Sequence, residues 1–263
     1  MKHFFIILMA ATLLGSQLTS CGDNGIGCLR GNGPSTTETR DIKDFTQVHI
    51  QVNAEVYLIE DTLYKVEING PENLLSNVIS SVNNGQLLMR ERRCVSGRSK
   101  LTIRVYAPSI ADVTLDGSGD ITFTKKNTGV LSSSAFKVNG SGNVFVNGTV
   151  HADNVYMKVN GSGDIQLNTE AKWVSSSVVG SGNIELSGNA ATCETDITGS
   201  GDIHTFELSC VDVYTDISGS GKIECRASES LDVSISGSGT VAYKGWPKIN
   251  TRISGSGRVV SEN

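Results

Sequence analysis

Aliphatic and polar residues alternate along most of the chain, and after residue 110 the alternation recurs about every 20 residues. Each recurrence is centred on a Gly-Ser-Gly tripeptide, with one aliphatic residue two positions before its first glycine and another four positions after it. Fifteen of these sixteen aliphatic residues are Val or Ile. A period of two with β-branched residues is typical of strands with one buried face, so the pattern predicts stacked β-coils.

The tripeptide occurs eight times, and successive copies begin 18–23 residues apart. We interpret its glycines as structural corners, because a backbone that turns with positive φ or packs closely on the next coil favours glycine. The prediction is an all-β, right-handed parallel β-helix-like solenoid with about eight regular coils. The corner glycines are Gly117, Gly119, Gly140, Gly142, Gly161, Gly163, Gly180, Gly182, Gly199, Gly201, Gly219, Gly221, Gly237, Gly239, Gly255 and Gly257.

The region before the repeats has strands of a less regular kind, for example at 48–52 and 101–106. We expect one solenoid domain over 41–263, with irregular N-terminal coils or a cap over 41–110 and the repeats over 111–263. A cap is expected because the end strand of a solenoid exposes unpaired backbone groups.

The first twenty residues predict a targeting segment, since Lys2 precedes a short apolar run that cannot span a bilayer. The sequence Leu18-Thr19-Ser20-Cys21 resembles a bacterial lipoprotein box. It predicts a signal peptide over 1–20, lipidation of Cys21, a flexible tether over 21–40 and attachment to a membrane of the bacterial envelope, the outer membrane in our interpretation. An ordinary secretory signal with an incidental cysteine is the alternative.

Charge and cysteine content limit which partners, disulfides and metal sites can be expected. The net charge of −5 does not suggest a nucleic-acid partner, which requires a clustered basic face. The five cysteines after Cys21 include a candidate disulfide, Cys193–Cys210, whose partners are about one coil apart, and a second candidate pair, Cys28–Cys94. No Cys/His cluster has the spacing of a zinc site, and we expect no metal or other cofactor.

The residue after each of the first five tripeptides is an acid or its amide: Asp120, Asn143, Asp164, Asn183 and Asp202. In register, this polar ladder would hold its carboxylates about 9–10 Å apart, twice the coil spacing. That separation lowers their repulsion and is too large for two carboxylates to share one calcium ion. We interpret the ladder as structural.

Several of these segments together resemble one known family. They are the strand with Phe45, Val48 and Ile50, the run Asn73-Leu74-Leu75, and Ile103-Arg104-Val105-Tyr106-Ala107-Pro108 leading to Asp116-Gly117-Ser118-Gly119-Asp120-Ile121. They resemble the putative auto-transporter adhesin, head GIN domain family of envelope lipoproteins, over about 41–257. The resemblance implies a β-solenoid with an adhesin-type surface role and supplies no catalytic residues.

The expected function is therefore a non-enzymatic, lipid-anchored envelope protein that binds a glycan or protein partner. The corner serines and His49, His151 and His204 show no triad pattern. One alternative is a polysaccharide-processing β-helix enzyme, which a groove of clustered carboxylates and aromatics would favour. Another is a structural, self-associating envelope protein, which an uncapped C-terminal edge would favour.

Overall fold

A computed structural model describes residues 27–96, 101–125, 130–132 and 134–263. The predicted signal peptide and lipidated Cys21 lie outside these ranges. Within them, no helix has the length and apolar character needed to cross a bilayer.

The described chain consists of strands and one short helix. In chain order they are β1 (Ser35–Arg40), β2 (Gln47–Gln51), β3 (Ala54–Glu60), β4 (Lys65–Pro71), α1 (Glu72–Leu75), β5 (Val78–Asn83), β6 (Gln86–Glu91), β7 (Leu101–Ala107), β8 (Asp112–Gly117), β9 (Asp120–Lys125), β10 (Val130–Leu131), β11 (Ala135–Gly140), β12 (Asn143–Gly161), β13 (Asp164–Gly180), β14 (Asn183–Gly199), β15 (Asp202–Gly219), β16 (Lys222–Gly237), β17 (Thr240–Lys244), β18 (Lys248–Gly255) and β19 (Arg258–Ser261).

The predicted β-solenoid is confirmed. Strands β12 to β16 each run through most of a coil and pair in parallel with the next along nearly their whole length. The aliphatic columns are in register, as where Ile197 pairs with Ile217 and Ile217 with Ile235. All three side chains are at most 1% exposed. The core is thus a set of continuous aliphatic ladders inside the coils.

The N-terminal coils stack in an order that differs from their order in the sequence. Strand β2 lies between β6 and β8, and β3 lies between β7 and β9, all in parallel. The coil built from 47–60 is therefore enclosed by one built from 86–107 and one built from 112–125. The sequence analysis placed β2, β3, β6 and β7 in the irregular region over 41–110 and β8 and β9 in the first repeat, but it did not predict their stacking order.

Antiparallel strands cover this end of the solenoid. Strand β4 pairs antiparallel with both β7 and β1, and β5 pairs antiparallel with β6. A change of strand direction ends the parallel stack, because a further parallel coil has no matching edge on which to continue.

Part of the predicted tether over 21–40 belongs to this cap, so the prediction of flexibility is wrong for residues 35–40. Strand β1 occupies them and pairs with β4 over six residues. The Arg40 guanidinium donates to the carbonyl oxygens of Val78, at 2.9 Å, and Leu75, at 3.1 Å. Cys28 is bonded to Cys94. The polar composition of the segment concealed a strand held by a neighbouring strand and a disulfide rather than by apolar burial.

Candidate functional site

From the second corner on, both glycines of a corner approach the preceding coil closely, and the first glycine also has positive φ. Gly140, the first of its pair, has φ +129°. At Gly142, the second, an added Cβ would lie 2.1 Å from the Gly119 carbonyl oxygen and 2.8 Å from Leu115 Cδ2. Both Ser141 N and Gly142 N donate to Gly117 O, at 2.9 and 3.0 Å. The corners therefore bind one another through their backbones.

The polar ladder after the corners is in register and internally hydrogen-bonded. Asn143 Nδ2 donates to Asp120 Oδ1 at 2.8 Å, and Asn183 Nδ2 donates to Asp164 Oδ1 at 2.8 Å. Asp202 pairs with Asn183 on one side and with Lys222 on the other, whose backbone N donates to Asp202 Oδ1 at 2.9 Å. Each amide separates two carboxylates, which supports a structural role.

A second ladder lies one position before the corners, and the sequence analysis missed it. Asn139 Nδ2 donates to Asp116 Oδ1 at 2.6 Å, and Asn160 Nδ2 donates to Asn139 Oδ1 at 2.7 Å. At its start, His49 Nε2 lies 2.7 Å from Asp116 Oδ2, and Gln51 Nε2 donates to the same oxygen at 2.9 Å. Burial acts to raise the pKa of Asp116, but these hydrogen bonds outweigh it and hold that pKa below its usual value. The signal was present as Asp-Gly, Asn-Gly, Asn-Gly at the first three corners.

The other two candidate histidines lie next to carboxylates in neighbouring coils. His204 Nδ1 is 2.9 Å from Glu224 Oε2, and Lys222 Nζ donates to Glu224 Oε1 at 2.5 Å. Burial tends to raise the pKa of Glu224, yet the contacts with Lys222 and His204 lower it overall. His151 Nδ1 is 3.5 Å from a Glu170 oxygen. The structure brings none of the three histidines together.

In the parts of the chain that the structure describes, no three His, Cys, Asp or Glu side chains are grouped as metal ligands. The ladder carboxylates instead accept hydrogen bonds from the amides beside them.

Both candidate cysteine pairs are disulfides in the structure. Cys193 and Cys210 have Cα atoms 6.1 Å apart, and those of Cys28 and Cys94 are 4.7 Å apart. Cys193 and Cys210 lie in neighbouring coils but not in one column, because Cys193 pairs with Val213 in the strand register. Cys225 is buried as a free thiol, and burial raises its pKa to about 12.

A concave outward surface of the regular coils surrounds Tyr214, which is 46% exposed. Tyr214 pairs in register with Glu194 on one side and Asp232 on the other. Two positions along, Asp196 pairs with Asp216. We call this groove, of about 420 Å³, the tyrosine groove. Its outward-facing lining includes Glu194, Asp196, Tyr214, Asp216, Asp232 and Arg252.

The electrostatics of the tyrosine groove are unbalanced. Desolvation raises the pKa of Asp196, and the charges of Asp216 and Glu194 raise it further. Among the described residues, no cationic side chain lies within ion-pair distance of Asp196 or Asp216. More than a third of the Asp196 surface is nevertheless exposed, so solvent partly screens these charges. The groove therefore combines an aromatic surface with a field that favours cations and hydrogen-bond donors.

A second exposed aromatic site lies on the same face. Tyr156 is 47% exposed, and its ring packs against that of Trp173 with centroids 4.9 Å apart and planes at 69°. Tyr156 shares its column with Tyr214, three coils further along. The two sites are therefore about 14 Å apart along the solenoid axis.

Comparison with known proteins identifies relatives by sequence pattern and by fold. The family model described as putative auto-transporter adhesin, head GIN domain matches residues 44–138 and 129–247. No protein with a curated description matches the chain.

Among solved structures, one described as a putative lipid binding protein from Parabacteroides distasonis is 26% identical, with a TM-score of 0.84 over 89% of this chain and 99% of that one. A putative adhesin from the same organism is 24% identical, with a TM-score of 0.81 over 89% and 99% of the two chains. A putative adhesin from Parabacteroides merdae is 21% identical, with a TM-score of 0.75 over 90% and 100%. The last two likenesses show the fold alone.

Proposed function

Because this chain belongs to the putative auto-transporter adhesin, head GIN domain family, we propose that it is a non-enzymatic, lipid-anchored adhesin of the bacterial cell envelope. The family and its structural neighbours point to a protein of the bacterial surface or envelope. Lipidation at Cys21, attachment to the outer membrane and binding of a glycan or protein partner are the more specific parts of the proposal.

The observation that carries the proposal is the tyrosine groove and its position on a rigid face. An exposed tyrosine offers a flat apolar surface with a polar tip, and the flanking Glu194 and Asp232 offer hydrogen-bond acceptors. Glycan hydroxyl groups, amino sugars and basic peptide side chains match that combination. Since the strands are paired along their whole length, the site is organised before a partner arrives.

Repetition strengthens a weak contact. Tyr156 with Trp173 and Tyr214 provide two aromatic sites about 14 Å apart on one rod. A partner with repeating units can engage both, and the second contact is then intramolecular. This supports attachment to polymers or crowded surfaces rather than capture of one small molecule.

Two experiments, performed one after the other, test whether the protein is exposed on the cell surface and whether it binds glycans. Protease treatment of intact cells should cleave the protein, and a glycan array probed with the 22–263 fragment should show signals that Tyr214→Ala and Tyr156→Ala reduce at least tenfold. Phe145→Ala is the matched control, because Phe145 is exposed but lies on a different strand segment, paired with Thr122 and Gln166. If the protein is not cleaved on intact cells, the proposal that it acts as an adhesin is wrong.

The anchor requires its own experiment. Cells given a radiolabelled fatty acid should label the wild-type protein and not the Cys21→Ser variant, which should leave the membrane fraction. Membrane retention of an unlabelled wild-type protein would contradict lipidation.

The polysaccharide-processing enzyme remains a second candidate, because the tyrosine groove does combine carboxylates with an aromatic residue. Asp196 and Asp216 lie in adjacent coils, about 4.8 Å apart at the backbone, and retaining glycosidases place two carboxyl groups about 5–5.5 Å apart. The two groups project side by side from one face, however, instead of flanking a cleft. Release of reducing sugar from a polysaccharide that wild type cleaves and Asp216→Asn does not would favour the enzyme.

A further inference from the structure

We propose that the free edge of β18, at the C-terminal end of the solenoid, binds an extended acidic segment of a partner protein by strand addition. The edge faces along the solenoid axis, whereas the tyrosine groove faces outward from the side of the coils. The two surfaces meet at Arg252, which also lines the groove, but the exposed Ile249 and Ile253 of β18 are not part of the groove, so failure of one proposal leaves the other standing.

Strand β18 exposes a row of backbone groups and the end of the core. It pairs with β16 over eight residues, and no strand among the described residues pairs with its other edge. Ile249 and Ile253 are 39% and 44% exposed, whereas Leu231 and Ile235, their partners one coil earlier, are 0% and 1% exposed. An unpaired edge with alternating apolar side chains is a template for an added strand.

The turn just before β18 is closed, and β19, beyond the last Gly-Ser-Gly corner, also pairs on one edge only among the described strands, with β17. Asn263 Oδ1 accepts from Gly245 N at 2.8 Å, and Asn263 Nδ2 donates to Gly245 O at 2.9 Å. This side-chain amide occupies both backbone groups that a further coil would use at that turn. No comparable side chain in the described part of the chain covers β18.

Charge identifies the chemistry of the partner. Residues 240–263 carry four basic side chains, Lys244, Lys248, Arg252 and Arg258, against one acidic side chain, Glu262. The three preceding coils, 183–239, carry ten acidic side chains against two basic ones. The terminal coil is thus basic, whereas the three coils next to it are strongly acidic.

The order of side chains along β18 defines the complementary strand. Lys248 and Arg252 alternate with Ile249 and Ile253, so an added strand needs apolar residues over the isoleucines and acidic residues beside the basic ones. Trp246, 88% exposed just before β18, offers an apolar contact at the end of the paired segment. Two copies of this chain joined through the edge would instead bring two basic coils together, which electrostatics disfavours.

The test uses the full-length protein in mild detergent and a fluorescein-labelled peptide, Val-Glu-Ile-Glu-Val-Asp-Val. Fluorescence anisotropy should give a Kd on the order of 10 µM at low ionic strength, weakening as salt is added. A peptide with lysine in place of each acid should bind at least tenfold more weakly. Lys248→Glu should also weaken binding at least tenfold, whereas Lys43→Glu, on an exposed lysine near the other end, should not change it.

A second variant tests the edge itself. Ile253→Lys places a charge among the apolar end positions and should abolish peptide binding, while Tyr214→Ala should bind as wild type. Equal binding of the acidic and basic peptides, or wild-type affinity in Lys248→Glu, would overturn the proposal. So would a dimer in sedimentation velocity that Ile253→Lys dissociates, which would assign the edge to a second copy. Binding of phosphatidylglycerol vesicles that blocks the peptide would assign it to a lipid surface.

Discussion

Asn183 donates two hydrogen bonds to one oxygen of Asp164, from its backbone N at 3.0 Å and from its side-chain Nδ2 at 2.8 Å. Asn183 therefore extends the pairing between coils and also supplies two hydrogen-bond donors to one of the two oxygens of the Asp164 carboxylate. Asp202 follows in the next coil. An amide at position 183 is therefore what allows acids on either side of it.

Asn183→Asp should lower the free energy of unfolding by about 1–3 kcal/mol at pH 7, because it removes an amide donor and places three carboxylates in successive coils. Urea denaturation followed by circular dichroism would measure the change. Asn154→Asp adds the same charge at an exposed position and should change stability by less than about 0.5 kcal/mol. Equal losses in the two variants would show that the ladder contributes nothing specific.

Gly142→Ala should destabilise the protein by at least about 3 kcal/mol, since its Cβ would overlap the Gly119 carbonyl oxygen. Gly117→Ala meets no atom within 4 Å and carries only the strain of φ +108°, so about 1–2 kcal/mol is expected. Thermal unfolding of the two variants separates close approach from backbone conformation. A larger loss for Gly117→Ala would mean that coil spacing tolerates a methyl group at the second glycine.

Removing the two disulfides should have unequal effects. In the chain-entropy account, the Cys28–Cys94 bond, with a sequence separation of 66, contributes about 4 kcal/mol. The Cys193–Cys210 bond, with a separation of 17, contributes about 3 kcal/mol. Paired Cys→Ala variants compared by urea denaturation test the order. A greater loss for the shorter loop would point to strain or packing rather than loop closure.

Cys225 should not react with a thiol reagent in the folded protein at pH 8, because the side chain is buried and its pKa of about 12 leaves almost no thiolate. Unfolding the 22–263 fragment without reductant should release one reactive thiol per chain. Two more thiols would show that a disulfide is open.

Asp116 and Asp196 should respond to pH in opposite directions. The lowered pKa of Asp116 means that its carboxylate stabilises the fold above about pH 4, its unfolded value, and that this contribution is lost as the pH falls through the folded pKa. Asp116→Asn should therefore be less stable than wild type at pH 6, with a difference that shrinks in acid.

The raised pKa of Asp196 means that its charged form is less favourable in the folded protein than in the unfolded chain at neutral pH. Asp196→Asn should therefore be more stable than wild type at pH 7, and this gain in stability should vanish below about pH 4. Chemical denaturation from pH 3 to pH 7 would decide both.

The regular coils could be predicted from the sequence because equivalent positions in successive coils have the same environment and therefore need the same type of residue. A buried position such as Ile217 must be aliphatic, and a crowded corner such as Gly142 must be glycine. The stacking order of the N-terminal strands was not readable, since alternation identifies a strand without naming its partner. The cap depends on one such choice, the antiparallel pairing of β1 with β4.

The candidate site was predictable only in part. The same position, five residues before the corner, is occupied by Glu194, Tyr214 and Asp232 in three successive coils. Because outward-facing positions are not constrained by packing, their residue types differ, and the sequence alone does not show that these three side chains lie side by side. The alignment therefore revealed the ladder next to the corners and missed the groove. The charge reversal of the terminal coil was visible in the sequence once residues were counted by coil instead of over the whole chain.

The enclosed position of the 47–60 coil has a consequence for how the chain is made. Both sides of that coil are covered by residues 86–125, so the cap and its first coils can be completed by the first half of the chain. Every later coil then adds to a finished edge using contacts about 20 residues back, which favours rapid local growth. Assembly can thus be vectorial, from the N-terminus outward as successive coils become available, and shortening the rod from its far end should leave the nucleus intact.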